Sequence, residues 1–205
     1  MDEEYRSLMV NDTWDLIPLP KGRKLVRCKR VYKNKYASNG SVERLKARLV
    51  TKFFSQVKGI DYNETFSPVA KMNSIYLVLS LSALHNWEFH QIDVNSIFLQ
   101  GNLQKEIFME QPPGYVQNNC SLVCHLKKSL YGLKQAPRSW YAKIDSFLLD
   151  TGFSRCHFDP NVYTKKEGNH LIILVLYVDD LILTSSDPKL LTHVKSSLLS
   201  KILKC

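Results

Sequence analysis

No apolar stretch in the sequence is long enough to cross a bilayer: the longest, Leu171 to Val178, falls far short of the roughly 20 residues a helical span needs. The N-terminus, MDEEYRSLMV, is acidic where a secretory signal would be basic and then apolar, so a non-secreted, non-membrane protein is expected, cytoplasmic or nuclear. Cysteine is sparse and odd in number. Cys28, Cys120, Cys124, Cys156 and Cys205 are scattered, and no second Cys or His pair completes a zinc pattern around Cys120 and Cys124. Reduced thiols are the reading. The histidines (His85, His90, His125, His157, His170, His193) form no ligand-spaced pair and read as structural or exposed. A Walker lysine loop, a G-x-S-x-G elbow and an H-E-x-x-H helix are all missing, as are internal repeats and Gly/Ser linkers.

What is present is a chain of 205 residues, 44% hydrophobic, enough for one sizeable domain or two small ones with packed cores. Its formal charge of +9 is unevenly spread. Lys21 to Lys35, KGRKLVRCKRVYKNK, carries eight basic residues and no acidic one, and ERLKARLVTK adds Arg44, Lys46, Arg48 and Lys52. This suits a polyphosphate-binding surface, although a solvated basic face without a partner has the same composition. Alternation over Leu25 to Tyr36 and Ser41 to Lys52, around ASNGS, predicts a basic β-hairpin with a primed turn at Asn39-Gly40. MNSIYLVLSLSALHNW predicts a buried helix, EFHQIDV a strand ending near Asp93, and the chain after Pro137 an amphipathic helix ending near Gly152. Three antiparallel strands are expected between Asn161 and Ser186, with turns at Glu167-Gly168-Asn169 and Asp179-Asp180. A helix capped by Asp187 should follow.

The informative anomaly is LVLYVDDLILTSS, where two adjacent carboxylates interrupt an apolar run. Ionised carboxylates about 5 Å apart repel by roughly 3 kcal/mol at an effective dielectric of 20, so the pair needs turn chemistry, solvent or a cation. Asp179-Asp180 alone reads as an ordinary turn. Asp93 ends another apolar strand, FHQIDV, and pairing of the two strands would bring three carboxylates to one sheet edge. Oxygen donors of that kind suit Mg²⁺, which completes its shell with water and substrate phosphates.

In order along the chain, KARLV, GIDYNETFSPVAKM, QIDVNSIFLQG, MEQPPGY, LKKSLYGLKQAPRSWY and LYVDDLILT resemble the reverse transcriptase domain of copia-type retrotransposon Pol polyproteins. The resemblance runs from Trp14 to about Ser200. It implies an α+β right-hand polymerase, with an antiparallel palm sheet backed by helices. Residues 1–13 would be a lead-in, 14–72 the fingers with the basic hairpin, and 73–205 the palm with further fingers elements. The chain is expected to stop before the thumb. The implied activity is RNA-directed DNA synthesis, with an RNA template, a DNA primer, deoxynucleoside triphosphates and the other Pol domains as partners, in a virus-like particle of the intact element. Two Mg²⁺ ions, replaceable by Mn²⁺, are the implied cofactors.

By motif, Asp93 and Asp179 correspond to the principal metal ligands, with Asp180 as the second acidic residue of the turn and the Val94 carbonyl as a further ligand. Lys46 and Arg48 correspond to the residues that hold the triphosphate, Phe98 to the one that excludes a 2′-hydroxyl, and Tyr131 and Gly132 to the loop beside nucleotide and template. Three positions depart from the family pattern. Ile97 replaces a small alanine and is expected to crowd the nucleotide sugar; Phe53 replaces a glycine and Arg30 a tryptophan. The alternative is a catalytically inactive remnant that retains at most nucleic-acid binding.

Overall fold

The computed structural model describes residues 2–94, 97–117 and 121–201; Cys120 and Cys205 lie outside them. In chain order the elements are α1 (Asp2–Val10), β1 (Trp14–Pro18), β2 (Leu25–Val26), β3 (Cys28–Tyr36), β4 (Val42–Thr51), α2 (Met72–Leu84), β5 (Glu88–Asp93), α3 (Ile97–Gln100) and β6 (Asn102–Met109). Then come β7 (Leu122–Lys128), α4 (Ala136–Asp150), β8 (Ser154–Arg155), β9 (Val162–Glu167), β10 (His170–Tyr177), β11 (Asp180–Ser185) and α5 (Pro188–Lys201). This is a mixed α+β chain whose strands pair antiparallel, save for β2 beside β6. Two compact units share the chain: Met1–Phe66 with Gly101–Trp140, and Ser67–Gln100 with Tyr141–Cys205.

The first unit holds a four-stranded sheet in the order β1-β7-β6-β2 and the separate two-stranded β3-β4 hairpin. The hairpin is shorter at its start than its sequence suggests. Leu25 and Val26 pair in parallel with Phe108 and Met109, and β3 begins only at Cys28, because Val26 buries its side chain in the four-stranded sheet. The turn also differs. Gly40 N–H donates to the Ala37 carbonyl at 2.9 Å, and Gly40 alone in that turn has a positive φ, +81°. Both primed two-residue turns need a positive φ at the first central residue, which Asn39 does not have, so this is a longer turn closed by a glycine, with the register shift between Lys35 and Tyr36 as its bulge.

The second unit is a five-stranded sheet in the order β5-β11-β10-β9-β8. The central strand β10 is buried from Ile172 to Leu176 because both of its faces are covered. On one face, α2 sets Ile75 and Val78 against Val162, Ile173 and Val175. On the other, Tyr163 donates from its hydroxyl to Asp145 of α4 at 2.8 Å. The expected buried helix is therefore buried along one stripe only: Tyr76, Leu77 and Leu84 of α2 are exposed. A helix lying on one sheet face can hide only part of its circumference. The cap expected for α5 is present, with Lys189 N–H donating to Asp187 Oδ1 at 3.0 Å. Among the described residues, no helix is long and apolar enough to cross a membrane.

Candidate active site

Asp93 is the last residue of β5 and Asp180 the first of β11, and the two are direct register partners. Strand alternation turns Ile92 and Leu181 into the core and sets Gln91 and Asp93 on the same face as Asp180. Side chains directly opposed in an antiparallel pair have Cβ atoms about 4.5–5.5 Å apart, so the two carboxylates are neighbours. The turn lies one residue earlier than the sequence suggests, at Val178-Asp179, and Asp180 already belongs to the strand. That shift gives the adjacent aspartates different tasks. Asp180 is fixed by the ladder, whereas Asp179 sits at the tip, its carbonyl accepting from Val94 N–H at 3.1 Å. Val94 thereby ties the end of β5 to the turn.

Val178 has a φ of +55°. A β-branched residue in the left-handed region is a true outlier, and strain of this kind is concentrated at functional sites. Gln91 Nε2 donates to Asp180 Oδ1 at 3.0 Å. Sequence reading had not singled out Gln91, although its place two residues before Asp93 on a strand puts it on the same face. Among the described residues, neither Asp93, Asp179 nor Asp180 forms an ion pair with a lysine or arginine. Nor does any group of three or more His, Cys, Asp or Glu side chains converge as a metal cluster there. Two opposed carboxylates without a protein counter-ion, plus a third at the adjoining tip, suit a hard cation that takes one or two carboxylates and fills its shell from water and substrate. Further along the chain, α3 carries Ile97, which is only 2% exposed, and the half-buried Phe98.

The second group of expected residues lies in the first unit. The β3-β4 register sets Lys33 opposite Lys46, Lys35 opposite Arg44, and Val31 opposite Arg48. Opposed residues share a face, so Lys29, Lys33, Lys35, Arg44, Lys46 and Arg48 all project from one side, while Tyr32, Asn34, Leu45 and Leu49 occupy the other. Like charges directly opposite destabilise a strand pair, so this face suits a polyanion better than it serves folding. The Arg48 guanidinium lies over the Tyr131 ring, 5.0 Å from its centroid. Thr51 N–H donates to the Tyr131 carbonyl at 2.8 Å. Gly132, with a φ of +87°, lies so close to β4 that a Cβ there would come within 2.2 Å of the Thr51 carbonyl oxygen. Arg48, Tyr131 and Gly132 are thus brought together, with Lys46 two residues along the same face. Of the departures, Phe53 is exposed, and the Arg30 guanidinium lies against Gly114.

Cys28, Cys124 and Cys156 are free, and burial pushes the Cys28 and Cys124 thiols up to about 12.

Residues 11–204 match a family described as reverse transcriptase (RNA-dependent DNA polymerase). Over 200 residues, 97% of the chain, the sequence is 48% identical to the retrovirus-related Pol polyprotein from transposon TNT 1-94 of Nicotiana tabacum. It is 42% identical, over the same share, to the corresponding polyprotein from transposon RE1 of Arabidopsis thaliana. A more distant relative, the transposon Ty1-H Gag-Pol polyprotein of Saccharomyces cerevisiae, is 29% identical over 98% of the chain. The matched region is 15%, 14% and 11% of those three relatives respectively.

Proposed function

Because the chain belongs to the reverse transcriptase (RNA-dependent DNA polymerase) family, we propose that it extends a DNA primer on an RNA template, with Asp93, Asp179 and Asp180 at the reacting phosphate. The second unit then serves as palm and the first as fingers. The observation that carries this reading is the register of Asp93 with Asp180, with Asp179 at the adjoining turn. The three carboxylates and the Val94 carbonyl would hold divalent ions, Mg²⁺ or in its place Mn²⁺, which when bound acidify the primer 3′-hydroxyl and neutralise the departing pyrophosphate.

The chain's own residues supply the rest. Gln91 holds one oxygen of Asp180 and so fixes how that carboxylate faces Asp93. The Val94 main-chain bond to Asp179 keeps the tip from swinging away from β5. Lys46 and Arg48 stand on the cationic hairpin face and take the triphosphate, Arg48 with a planar fork whose orientation the Tyr131 ring restricts. Gly132 keeps the loop close against β4, and Phe98 provides the bulk that disfavours a ribonucleotide. Ile97 adds bulk beside the sugar where the family has alanine.

The test is extension of a DNA primer on an RNA template with Mg²⁺, beside an Asp179→Asn control. Extension by the wild type that disappears in the control supports the reading; no extension by a folded, hybrid-binding chain overturns it. A second reading, a nucleic-acid-binding remnant without catalysis, draws on the six-cation face, which does not depend on the aspartates. Both readings require binding of an RNA–DNA hybrid to fall steeply with salt, because each phosphate neutralised releases counterions.

A further inference from the structure

The N-terminal helix α1 reaches β4 by a contact the catalytic reading does not use. Among the described residues β4 pairs with β3 alone, so its other edge has no strand partner there. Two successive outward N–H groups on that edge are nevertheless satisfied. Leu49 N–H donates to Glu4 Oε1 at 3.3 Å, and Thr51 N–H donates to the Tyr131 carbonyl at 2.8 Å. Arg48 immediately precedes the first of these bonds, and its guanidinium lies over the ring of the residue that makes the second. Its Nε is buried and has no hydrogen-bond partner among the described residues, so the guanidinium is held by its contact with the ring and by the strand that carries it.

The helix is itself anchored. Tyr5 stacks on Tyr115 at 4.1 Å between ring centroids, the Tyr115 hydroxyl donates to Asp2, and Leu8 is buried. Glu4 accepts a disadvantage in this position: burial raises its carboxyl above the ordinary range, opposed by the Leu49 N–H and by the charges of Arg48 and Lys46. A carboxylate held half out of water against a strand edge is poorly explained by solubility, and well explained by a need to fix that edge.

We propose that Glu4 is a positioning residue for nucleotide binding: by accepting the Leu49 N–H it locks the edge of β4 from which Arg48 projects toward the triphosphate. This rests on the polymerase reading above. Glu4 touches no substrate, and its effect passes through the strand. Glutamine keeps the acceptor oxygen and removes the charge, whereas alanine removes both, so the two variants separate the edge bond from electrostatics.

The experiment compares the full chain with Glu4→Ala and Glu4→Gln, measuring KM for a deoxynucleoside triphosphate, kcat, and hydrogen exchange of the Leu49 amide. The expected result is a KM raised about tenfold in Glu4→Ala, with kcat changed less than about twofold and Leu49 protection lost, while Glu4→Gln stays within about threefold of wild type on every count. An unchanged KM in Glu4→Ala, or equal effects of the two variants, overturns the proposal while the polymerase reading stands. A wild-type chain that extends no primer overturns the polymerase reading instead. The exchange measurement then still decides the brace: protection lost in alanine and kept in glutamine supports it, and protection kept in both overturns it.

Discussion

Asp93 and Asp180 face each other directly across β5 and β11, while Asp179, the neighbour of Asp180 in sequence, sits in the turn. The opposed pair works against the sheet, since like charges directly opposite cost a strand pair roughly 0.2–1 kcal/mol. Asp180→Asn is therefore expected to leave the protein as stable as wild type or up to about 1 kcal/mol more stable. Primer extension should fall at least about a hundredfold, the order of effect seen when a group that stabilises transition-state charge is removed. Thermal melts and extension rates on the same preparation check both; a variant that loses stability together with activity would make Asp180 a structural residue.

Val178 is the second expectation. Holding an L-residue in the left-handed region costs roughly 1–2 kcal/mol, and Val178 is held there at φ +55°. Glycine adopts that conformation freely but is more flexible in the unfolded chain. Val178→Gly should raise stability by up to about 1 kcal/mol and lower kcat, because the tip that carries Asp179 becomes looser. Urea unfolding with steady-state kinetics measures the opposed changes.

Gly132 allows no such gain. A Cβ there would come within 2.2 Å of the Thr51 carbonyl oxygen and 2.8 Å of Val50 Cγ1, at a φ that side chains rarely adopt. Gly132→Ala should destabilise the first unit by about 2 kcal/mol or more and raise KM for the nucleotide, since Tyr131 must shift from beneath Arg48. Unchanged stability would mean that the loop is not seated on β4.

Ile97 sets two effects against each other. The side chain is buried, so Ile97→Ala should cost about 2–4 kcal/mol by leaving a cavity. If its bulk also crowds the nucleotide sugar, KM for the nucleotide falls in the same variant. Measuring stability and KM separately distinguishes the two.

Asp159 is expected to contribute a pH-dependent part of the stability. Burial raises its carboxyl, but hydrogen bonds from the Ser74 side chain, Lys71 N–H and Asn161 N–H outweigh burial and hold it below the ordinary range. For a depressed carboxyl the stabilisation is fully present above the unfolded value of about 3.9 and is lost as pH falls through the lower folded value. Asp159→Asn should thus be less stable than wild type at pH 7, with the difference closing below about pH 4. Melts at pH 7 and pH 3 test the sign.

Much of the architecture could be read from local signals. Gly168-Asn169 turns where a hairpin was expected, Asp187 caps α5, and β5 ends at Asp93. Each follows from interactions within a few residues or from the period of the side chains. Two misplacements came where a distant partner decides: Leu25 and Val26 left the hairpin for Phe108 and Met109, and α2 exposes Tyr76, Leu77 and Leu84 because its sheet covers one stripe only; the turns at Asn39-Gly40 and Asp179-Asp180 were each displaced within their own hairpins.

The candidate site divides in the same way. The sequence by itself determined that three carboxylates end or join apolar strands, that cations crowd the β3 and β4 segments, and that ordered motifs mark the family, since composition, alternation and motif order are properties of the chain. Tertiary structure alone decided that Asp180 rather than Asp179 opposes Asp93, that six cations share one hairpin face, and that Glu4 closes the edge beside Arg48. Register is the reason. A shift of one residue in a strand pair moves every side chain to the opposite face, and what fixes the register is the burial of residues far away in the chain.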